Sequence, residues 1–324
     1  MRPHVLVVSL DDNADLLLAG PAIRAVAAGA RWTTLLHGAR GRAAAALLPG
    51  IDAGEEFEAP WFDGAPCPVD GPAIRALIRH LASLNVDEAA VLTSPRQSPL
   101  PMALLLRMAG IPRIAAIAEN EAGSLLDVVH RPDPDLHQVE RNLSLVAALG
   151  HQLPSRDTGR LAIRRGGGVP RALSRLGGFV ALHPATGSPA GWSADEWRDL
   201  AASLVRRGRT VVITAGEADE FAPEVAPGTG AGRVVDLTAT RGVDVLAEVL
   251  AAADVVVCDD DLPAQLAAAV GTPVAWVHGA LGNPERRRPW RVAHLPLASP
   301  SVAEVVKAVE RLASRDGKLA AAAS

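Results

Sequence analysis

Short apolar runs alternate with segments of helical periodicity along this chain, and residues 253–279 show the pattern most clearly. They read as a buried strand at 254–258, a turn of three carboxylates, a helix at 263–270 and a second buried strand. A proline opens the predicted helix and the Gly-Thr-Pro sequence at 271–273 ends it, as is usual at helix boundaries. Apolar strands on both sides of a short helix predict parallel strands that are buried on both faces.

The same alternation runs through both halves of the chain. The first half has predicted strands at 4–10, 33–37, 88–92 and 113–117, and predicted helices from about residue 16 and at 42–48, 72–84, 101–108 and 136–149. The second half has predicted strands at 179–185, 210–216, 234–238 and 254–258, and predicted helices at 193–207, 243–252, 263–270 and 301–313. Alternating strands and helices predict an α/β fold with parallel sheets, in which ligands bind beyond the carboxyl ends of the strands.

A segment rich in glycine and arginine separates the two halves, and its composition is typical of a connection between domains. The chain is therefore expected to contain two similar, doubly wound α/β domains. The predicted organisation is a first domain at 1–155, a linker at 156–178, a second domain at 179–300, an amphipathic helix at 301–314 and a tail at 315–324.

Composition and charge narrow the classes of function. A net charge of -4 and a pI near 6.1 give no basic footprint for nucleic acid. Cys67 and Cys258 lack the spacing of a metal site, so a reduced, cytoplasmic protein is expected. The sequence has no apolar run of about 20 residues, so any membrane contact is expected to be peripheral, at the inner face. The arginine run at 286–288 indicates a solvated loop, or a site for an anionic acceptor or a membrane surface.

Four stretches of the sequence, in order, resemble the motifs of one family. ADLLLAGPAIRAV at 14–26 resembles a Gly-Asp pair followed by a proline and an apolar helix. HQVERNLSLVAALG at 137–150 resembles a helix that closes the first domain. ALHPATGSPAGWSADEWRDLAASL at 181–204 and VVVCDDDLPAQLAAAVGTPVAWVHG at 255–279 resemble an HPG-type strand end and an ND(T/S)G-x-x-HLAAA-x-GTP unit. Together they resemble the glycosyltransferase family 9 heptosyltransferases.

This resemblance implies a GT-B architecture, in which two Rossmann-like domains face each other across a cleft and the C-terminal helix returns toward the first domain. It also implies an activated sugar nucleotide, typically ADP-heptose, bound mainly by the second domain. The acceptor hydroxyl, usually on the inner core of lipopolysaccharide, enters from the first domain. In that family transfer inverts the anomeric centre and usually needs no metal, and the resemblance implies the same here.

Asp15 matches the acidic residue that is proposed as the general base of the family. A sugar hydroxyl is a weak nucleophile, and a carboxylate within hydrogen-bond reach can take its proton as the new bond forms. Asp15 also stands where an aspartate would cap the N-terminus of a helix. Asp11 and Asp12 lie close by in the sequence, and either could serve as the base instead.

The resemblance assigns donor binding to residues that follow the strands of the second domain. His183 ends a predicted strand, and the turn Thr186-Gly187-Ser188 can bring N–H and O–H donors to a phosphate. The same turn also fits ordinary entry into a helix. Glu217 matches a family residue that contacts the nucleoside, where a carboxylate at a strand end can accept both ribose hydroxyls. Its other interpretation is a solvated loop charge.

Asp260 matches the family aspartate in the turn before the helix. The N–H groups after it would face the donor diphosphate and stabilise the leaving group as its charge grows. Asp260 can be the helix N-cap at the same time. The donor-binding set continues with Asp261, Leu262 and Gln265, which stand where the family has Thr or Ser, Gly and His.

Of two other departures from the family motifs, one removes a positive charge from the predicted donor site and the other lies in the first domain. Ala190 stands where many members have lysine, and Ala14 replaces the glycine of the Gly-Asp pair. The carboxylates of Asp259, Asp260 and Asp261 would repel a diphosphate, although they could instead bring in Mg²⁺, which binds phosphates through carboxylate oxygens. Apart from that alternative, no cofactor is expected.

The first interpretation of the sequence is an inverting glycosyltransferase that moves a heptose-like sugar from an ADP-linked donor to a hydroxyl of a glycan, glycolipid or small molecule. The second interpretation is a catalytically impaired protein that binds sugar nucleotides on the same fold. It follows from the missing lysine and histidine. A third is a nucleotide-sugar epimerase or hydrolase of the same architecture.

Overall fold

The computed structural model describes residues 2–61, 67–94, 97–118, 122–174, 176–185, 192–215, 232–239, 242–278 and 284–314. The chain divides into two compact units, Met1–Ala162 and Ile163–Ser324. The boundary between them falls inside the segment predicted as a linker.

The first unit is an α/β unit. Its described strands are β1 (His4–Ser9), β2 (Trp32–His37), β3 (Ala53–Glu56), β4 (Glu88–Val91), β5 (Arg113–Ile117) and β6 (Val128–His130). Its described helices are α1 (Asn13–Gly29), α2 (Arg42–Leu47), α3 (Gly71–Ser83), α4 (Leu100–Met108) and α5 (Gln138–Ala148).

The strands of the first unit form one parallel sheet in the order β3-β2-β1-β4-β5-β6. Every residue of the central strand β1 is buried, because helices cover the sheet on both sides. Leu6 and Val8 belong to the cluster that includes apolar side chains of α3 and α4. Val5 and Val7 point the other way, toward the layer in which α1 packs against α5. The predicted parallel, doubly covered sheet is thus confirmed.

The second unit repeats this design. Its described strands are β7 (Phe179–His183), β8 (Thr210–Ile213), β9 (Val234–Asp236), β10 (Val255–Cys258), β11 (Val274–His278) and β12 (His294–Ala298). Its described helices are α6 (Ala194–Arg206), α7 (Val243–Ala252), α8 (Asp261–Val270) and α9 (Val302–Ala313). The strands are parallel in the order β12-β11-β10-β7-β8-β9. Counted from its own first strand, each sheet has the same doubly wound order, which is that of a Rossmann fold.

One face of the second sheet is covered by α6 and α9, and α7 packs against α8. Val305 and Val309 of α9 are fully buried in the cluster that also contains Trp197 of α6. Trp197 meets Trp192 edge to face, with 5.1 Å between the ring centroids. The apolar face of α9 therefore belongs to the core of the second unit. The return of this helix toward the first unit stays a prediction.

The hydrophobic pattern does not predict three of the strands, β3, β6 and β12, and all three lie at sheet edges. The sequence of β3, AGEE, is alternately half-buried and exposed, and β6 has only three residues. The strand β12 contains Pro296, which an edge strand tolerates because one side of its backbone needs no partner strand. Helix α8 begins at Asp261, two residues before its predicted start, and ends at Gly271 in the left-handed conformation (φ 82°), as the Gly-Thr-Pro signal predicts.

The connecting segment is anchored separately within each unit. In the first unit Arg24 donates two hydrogen bonds to Asp157, of 2.6 and 2.9 Å, and this contact lowers the pKa of the Asp157 carboxyl. In the second unit Arg165 pairs at 2.5 Å with Glu248, a buried residue of α7. The Glu248 carboxylate raises the pKa of the Arg165 guanidinium. The segment predicted as a linker is therefore fastened to the first unit at Asp157 and to the second unit at Arg165.

Within the described ranges, no helix is long and apolar enough to cross a bilayer. The longest of them, α1, has 17 residues, fewer than the roughly 20 that a bilayer core requires.

We expect Val309→Asp to lower the free energy of unfolding by about 3 kcal/mol or more, because it places an unpaired carboxylate in the core of the second unit. Lys307→Asp introduces the same side chain at an exposed position of α9 and should cost about 1 kcal/mol or less. Urea denaturation followed by circular dichroism gives both values. Equally small losses would contradict the burial of this helix face.

Candidate functional site

In each unit the direction of winding reverses between two central strands. The pair is β1 and β4 in the first unit, and β7 and β10 in the second. Because the crossover connections leave such a pair in opposite directions, a crevice opens beyond the carboxyl ends of the two strands. The residues that follow these four strands are therefore the candidates for ligand contact.

In the first unit, Asp11 spans the crevice. Its Oδ2 accepts a hydrogen bond of 3.0 Å from the backbone N–H of Ser94, and its Oδ1 accepts one of 2.8 Å from the Ser94 hydroxyl. Ser94 follows β4, and both residues are 4% exposed. Asp11 thus ties the end of β1 to the loop beyond β4.

Asp15 is the third residue of α1 and is 7% exposed. The N-cap of this helix is Asp12, whose Oδ1 accepts hydrogen bonds of 3.0 and 3.1 Å from the N–H groups of Ala14 and Asp15. The alternative in which Asp15 itself caps the helix is therefore wrong. Asp11 binds Ser94 and Asp12 caps α1, and the role of Asp15 as the base stays a prediction.

In the second unit, Asp259 connects the two central strands in the same way as Asp11 does in the first unit. It directly follows β10, is 7% exposed, and accepts a hydrogen bond of 2.8 Å from the N–H of Ala185 beyond β7. Burial raises the pKa of Asp259 to about 7, although the Ala185 N–H opposes the shift. The Asp259 carboxyl therefore exists in both protonation states near neutral pH. Burial, with Asp259 next in order, also raises the pKa of the Cys258 thiol, which stays protonated.

A pocket of about 90 Å³ opens beyond the carboxyl ends of β7 and β8. His183, the last residue of β7, is buried in its wall, and its Nδ1 lies 2.9 Å from Oγ1 of Thr214. The Thr214 hydroxyl donates to the carbonyl of Leu182 at 3.3 Å, so we assign the proton of the histidine–threonine bond to Nδ1. The apolar part of the wall is formed by Ala215, Val243, Val245, Leu246, Val249 and Leu262.

The N-terminus of α8 borders this pocket through Asp260 and Leu262. Asp260 occupies the N-cap position with an extended backbone (φ -127°, ψ 153°) and is exposed. Within the described chain, its side chain accepts no hydrogen bond from the first turn of α8. Leu262 replaces the family glycine without closing the pocket. The first turn of α8 therefore borders the pocket, and the binding of the diphosphate by its N–H groups stays a prediction.

Asp261 and Gln265 both contact the arginine run at 286–288. The Oδ2 of Asp261 lies 2.5 Å from Nε of Arg287. Gln265 is completely buried, and its Nε2 donates to the carbonyl of Arg287 at 2.6 Å. In this geometry Gln265 holds a loop, and its contact with the donor stays a prediction.

The three carboxylates at the start of α8 have different surroundings. Asp259 is buried against Ala185, Asp260 is exposed at the pocket rim, and Asp261 binds Arg287. In the described part of the chain, no group of three or more His, Cys, Asp or Glu side chains is placed to hold a metal ion. The Mg²⁺ alternative therefore stays a prediction without a preformed site in its support.

Several predicted positions cannot be located. The turn Thr186-Gly187-Ser188, Ala190 and Glu217 lie outside the described residues. Their assignments stay predictions.

The sequence argument misses residues that the structure places at the two crevices. Thr214 directly follows β8, and its position at a strand end was the only signal for it. Ser94 and Arg287 carry no local signal, since their partners Asp11 and Asp261 lie 83 and 26 residues away. The sequence does show the arginine run, and it predicts a solvated loop or a site for an anion or a membrane surface. It does not predict the contact of the run with α8.

The sequence model of glycosyltransferase family 9 (heptosyltransferase) matches residues 74–304, which is more than half of the chain. No curated protein sequence gives a match.

Solved structures of similar fold include the glycosyl transferase family 9 protein from Veillonella parvula DSM 2008, at a TM-score of 0.77 and 14% identity over 96% of this chain and 97% of that one. They also include ADP-heptose lps heptosyltransferase II from E. coli, at a TM-score of 0.72 and 18% identity over 96% and 98%. E. coli heptosyltransferase WaaC with ADP has a TM-score of 0.72 and 18% identity over 95% and 99%. At these identities the likeness shows the fold, and the predicted two-domain GT-B fold is confirmed.

We expect the raised pKa of Asp259 to appear as a pH-dependent loss of stability. Below the ordinary value of 3.8 the carboxyl is protonated in both the folded and the unfolded chain. As pH rises from about 4 to about 7, the unfolded chain gives up this proton and the folded chain keeps it, so the folded state loses stability. The shift corresponds to at most about 4 kcal/mol.

Asp259→Asn is the comparison that isolates this effect, because asparagine can still accept the Ala185 hydrogen bond but does not titrate. The free energy of unfolding of the original protein should fall relative to the variant between pH 4 and 7, and the difference should level off above pH 7. A difference that is independent of pH would show that Asp259 titrates normally.

Proposed function

The chain belongs to glycosyltransferase family 9 and is a glycosyltransferase, and we propose that it moves a heptose-like sugar from an ADP-linked donor to an acceptor hydroxyl. Transfer is a single displacement that inverts the anomeric centre. The acceptor hydroxyl belongs to a glycan, a glycolipid or a small molecule, and any membrane contact is peripheral.

The observation that carries this proposal is the pocket at the carboxyl ends of β7 and β8. It lies beside the point where the sheet reverses, where α/β folds bind nucleotides. Its apolar wall suits a flat nucleobase, and the His183–Thr214 pair gives it a polar edge. Glu217, four residues beyond β8, is proposed to accept the ribose hydroxyls.

The N-terminus of α8 is proposed to bind the donor diphosphate. Its first N–H groups and the positive end of the helix dipole favour an anion, and the presence of Asp260 and Leu262 in the pocket lining supports this role. Thr186, Gly187 and Ser188 are proposed to add donors from the loop after β7. When the bond to the sugar breaks, these groups stabilise the charge that remains on the diphosphate. The ADP bound by E. coli WaaC supports ADP as the first nucleotide to test.

Asp15 is proposed as the general base. It is the third residue of α1, lies just beyond the carboxyl end of β1, and matches the acidic residue of the family motif. A carboxylate there can remove the acceptor proton while the acceptor oxygen attacks the anomeric carbon. A base and a stabilised leaving group are sufficient for one displacement, so no covalent intermediate is required.

A second candidate function is a sugar-nucleotide-binding protein without turnover. The buried position of Gln265 favours it, since this side chain holds the backbone of Arg287 instead of facing the pocket. Nucleotide binding without transfer across a broad acceptor panel would support the second function. Multiple-turnover release of nucleotide that depends on an acceptor would exclude it. Release without any acceptor would indicate a hydrolase or an epimerase instead.

Asp15→Asn tests the proposed base, because asparagine preserves the shape of the side chain but takes up no proton. We expect acceptor-dependent nucleotide release from ADP-heptose to slow by about 10²- to 10⁴-fold. The dissociation constant of ADP should change little, since the proposed nucleotide pocket lies in the second unit.

Asp12→Asn is the matched control. Asparagine caps a helix about as well as aspartate, so the helix is preserved and only a neighbouring charge is removed. Transfer should stay close to the original rate. A slow Asp12→Asn variant together with a fast Asp15→Asn variant would assign the base to Asp12.

A further inference from the structure

The start of α8 repels an anion less strongly than its sequence suggests. Asp259 is buried, hydrogen-bonded to Ala185 and half protonated near pH 7. Asp261 is paired with Arg287. Of the three consecutive carboxylates, Asp260 is therefore the exposed one at the pocket rim.

Arg287 lies at an end of α8 where cations are ordinarily unfavourable. The N-terminus of a helix carries partial positive charge, and basic side chains are usually placed at the opposite end. The ion pair with Asp261 offsets this cost, with Nε and Oδ2 2.5 Å apart and only 20% of the arginine side chain exposed. The fold thus brings a guanidinium and the N-terminus of a ten-residue helix to one place.

Gln265 fixes the backbone from which Arg287 extends. Its Nε2 donates to the carbonyl of Arg287 at 2.6 Å and lies 3.4 Å from that of Arg288. The side chain is 0% exposed, and its Oε1 has no hydrogen-bond partner among the described residues. Burying an amide oxygen in this way is costly. The contact that the Gln265 amide does make holds the backbone of Arg287 and Arg288 against α8.

We infer that Arg287 is the cation that binds the donor diphosphate, and that Gln265 is its positioning residue. The inference rests on the proposed function and deepens it. The resemblance leaves this site short of a lysine and a histidine, at Ala190 and Gln265. The positive charge comes from the loop after β11, and the residue at the histidine position holds that loop.

The chemistry of arginine suits this role. A guanidinium carries five N–H donors in one plane, so Nε can remain on Asp261 while the same group binds a phosphate oxygen. In the transfer step the acceptor oxygen gives its proton to Asp15 and bonds to the anomeric carbon. The bond from that carbon to the diphosphate breaks, and its electron pair stays on the phosphate oxygen. Arg287 and the N–H groups of α8 stabilise the added charge.

The experiment compares adenosine, AMP and ADP binding to the full chain by calorimetry. Arg287→Ala should weaken ADP by about 10- to 100-fold, weaken AMP less, and leave adenosine unchanged. A purely structural role for Arg287 would instead weaken all three ligands by a similar factor. Arg287→Gln retains the stem and a donor without the charge, and it replaces Arg287→Ala if that variant does not fold.

Two further variants test whether Gln265 positions Arg287, and whether the loss of any nearby positive charge has the same effect. Gln265→Ala should weaken ADP in the original background and have no further effect once Arg287 is alanine, because it acts through that residue. Arg291→Ala removes the same charge from an exposed position of the same loop and should leave ADP binding unchanged. An equal loss in Arg291→Ala would overturn the assignment to Arg287.

The outcomes separate this inference from the proposed function. If the original protein binds no nucleoside diphosphate, the proposed function fails and the inference with it. If it binds ADP and Arg287→Ala binds ADP as tightly, only the inference fails. Additive losses for Arg287 and Gln265 would overturn the positioning role alone.

Discussion

In each unit, one aspartate connects the two central strands between which the direction of winding reverses. Its carboxylate follows one strand and accepts a hydrogen bond from the backbone beyond the other. Beyond the carboxyl ends of the two central strands the ladder of hydrogen bonds stops, and the diverging crossovers leave buried N–H groups that still need partners. Asp11 supplies an acceptor to Ser94 in the first unit, and Asp259 supplies one to Ala185 in the second. These contacts fix the segments that follow β4 and β7.

The fold could be predicted where burial requires a recognisable pattern of apolar residues. Strands in the middle of a sheet covered on both faces are apolar throughout, so β1 and β10 appear as unbroken runs. Edge strands are buried less, and β3 and β12 alternate or include proline, so their sequences do not differ from those of loops. These edge strands form because they pair with a neighbouring strand, and that strand lies elsewhere in the sequence. A local sequence pattern therefore does not reveal them.

The candidate site could be predicted in part, for a related reason. His183 and Asp260 follow strand ends, and the order of elements alone brings them to one edge of the sheet. The partners of the acidic residues could not be predicted, because they come from distant parts of the chain. The cap of α1 is a local feature, yet the sequence also allowed Asp15 in that role, and only the geometry shows that Asp12 is the cap.

The aspartate run at the start of α8 shows how the surroundings assign different tasks to identical side chains. Asp259 accepts a hydrogen bond from Ala185 while burial raises its pKa to about 7, Asp260 is the N-cap of the helix, and Asp261 binds a guanidinium. If all three were ionised and exposed, their summed repulsion would oppose any phosphate at this helix. Because burial suppresses one charge and an arginine offsets another, the main-chain N–H groups keep an electrostatic preference for an anion.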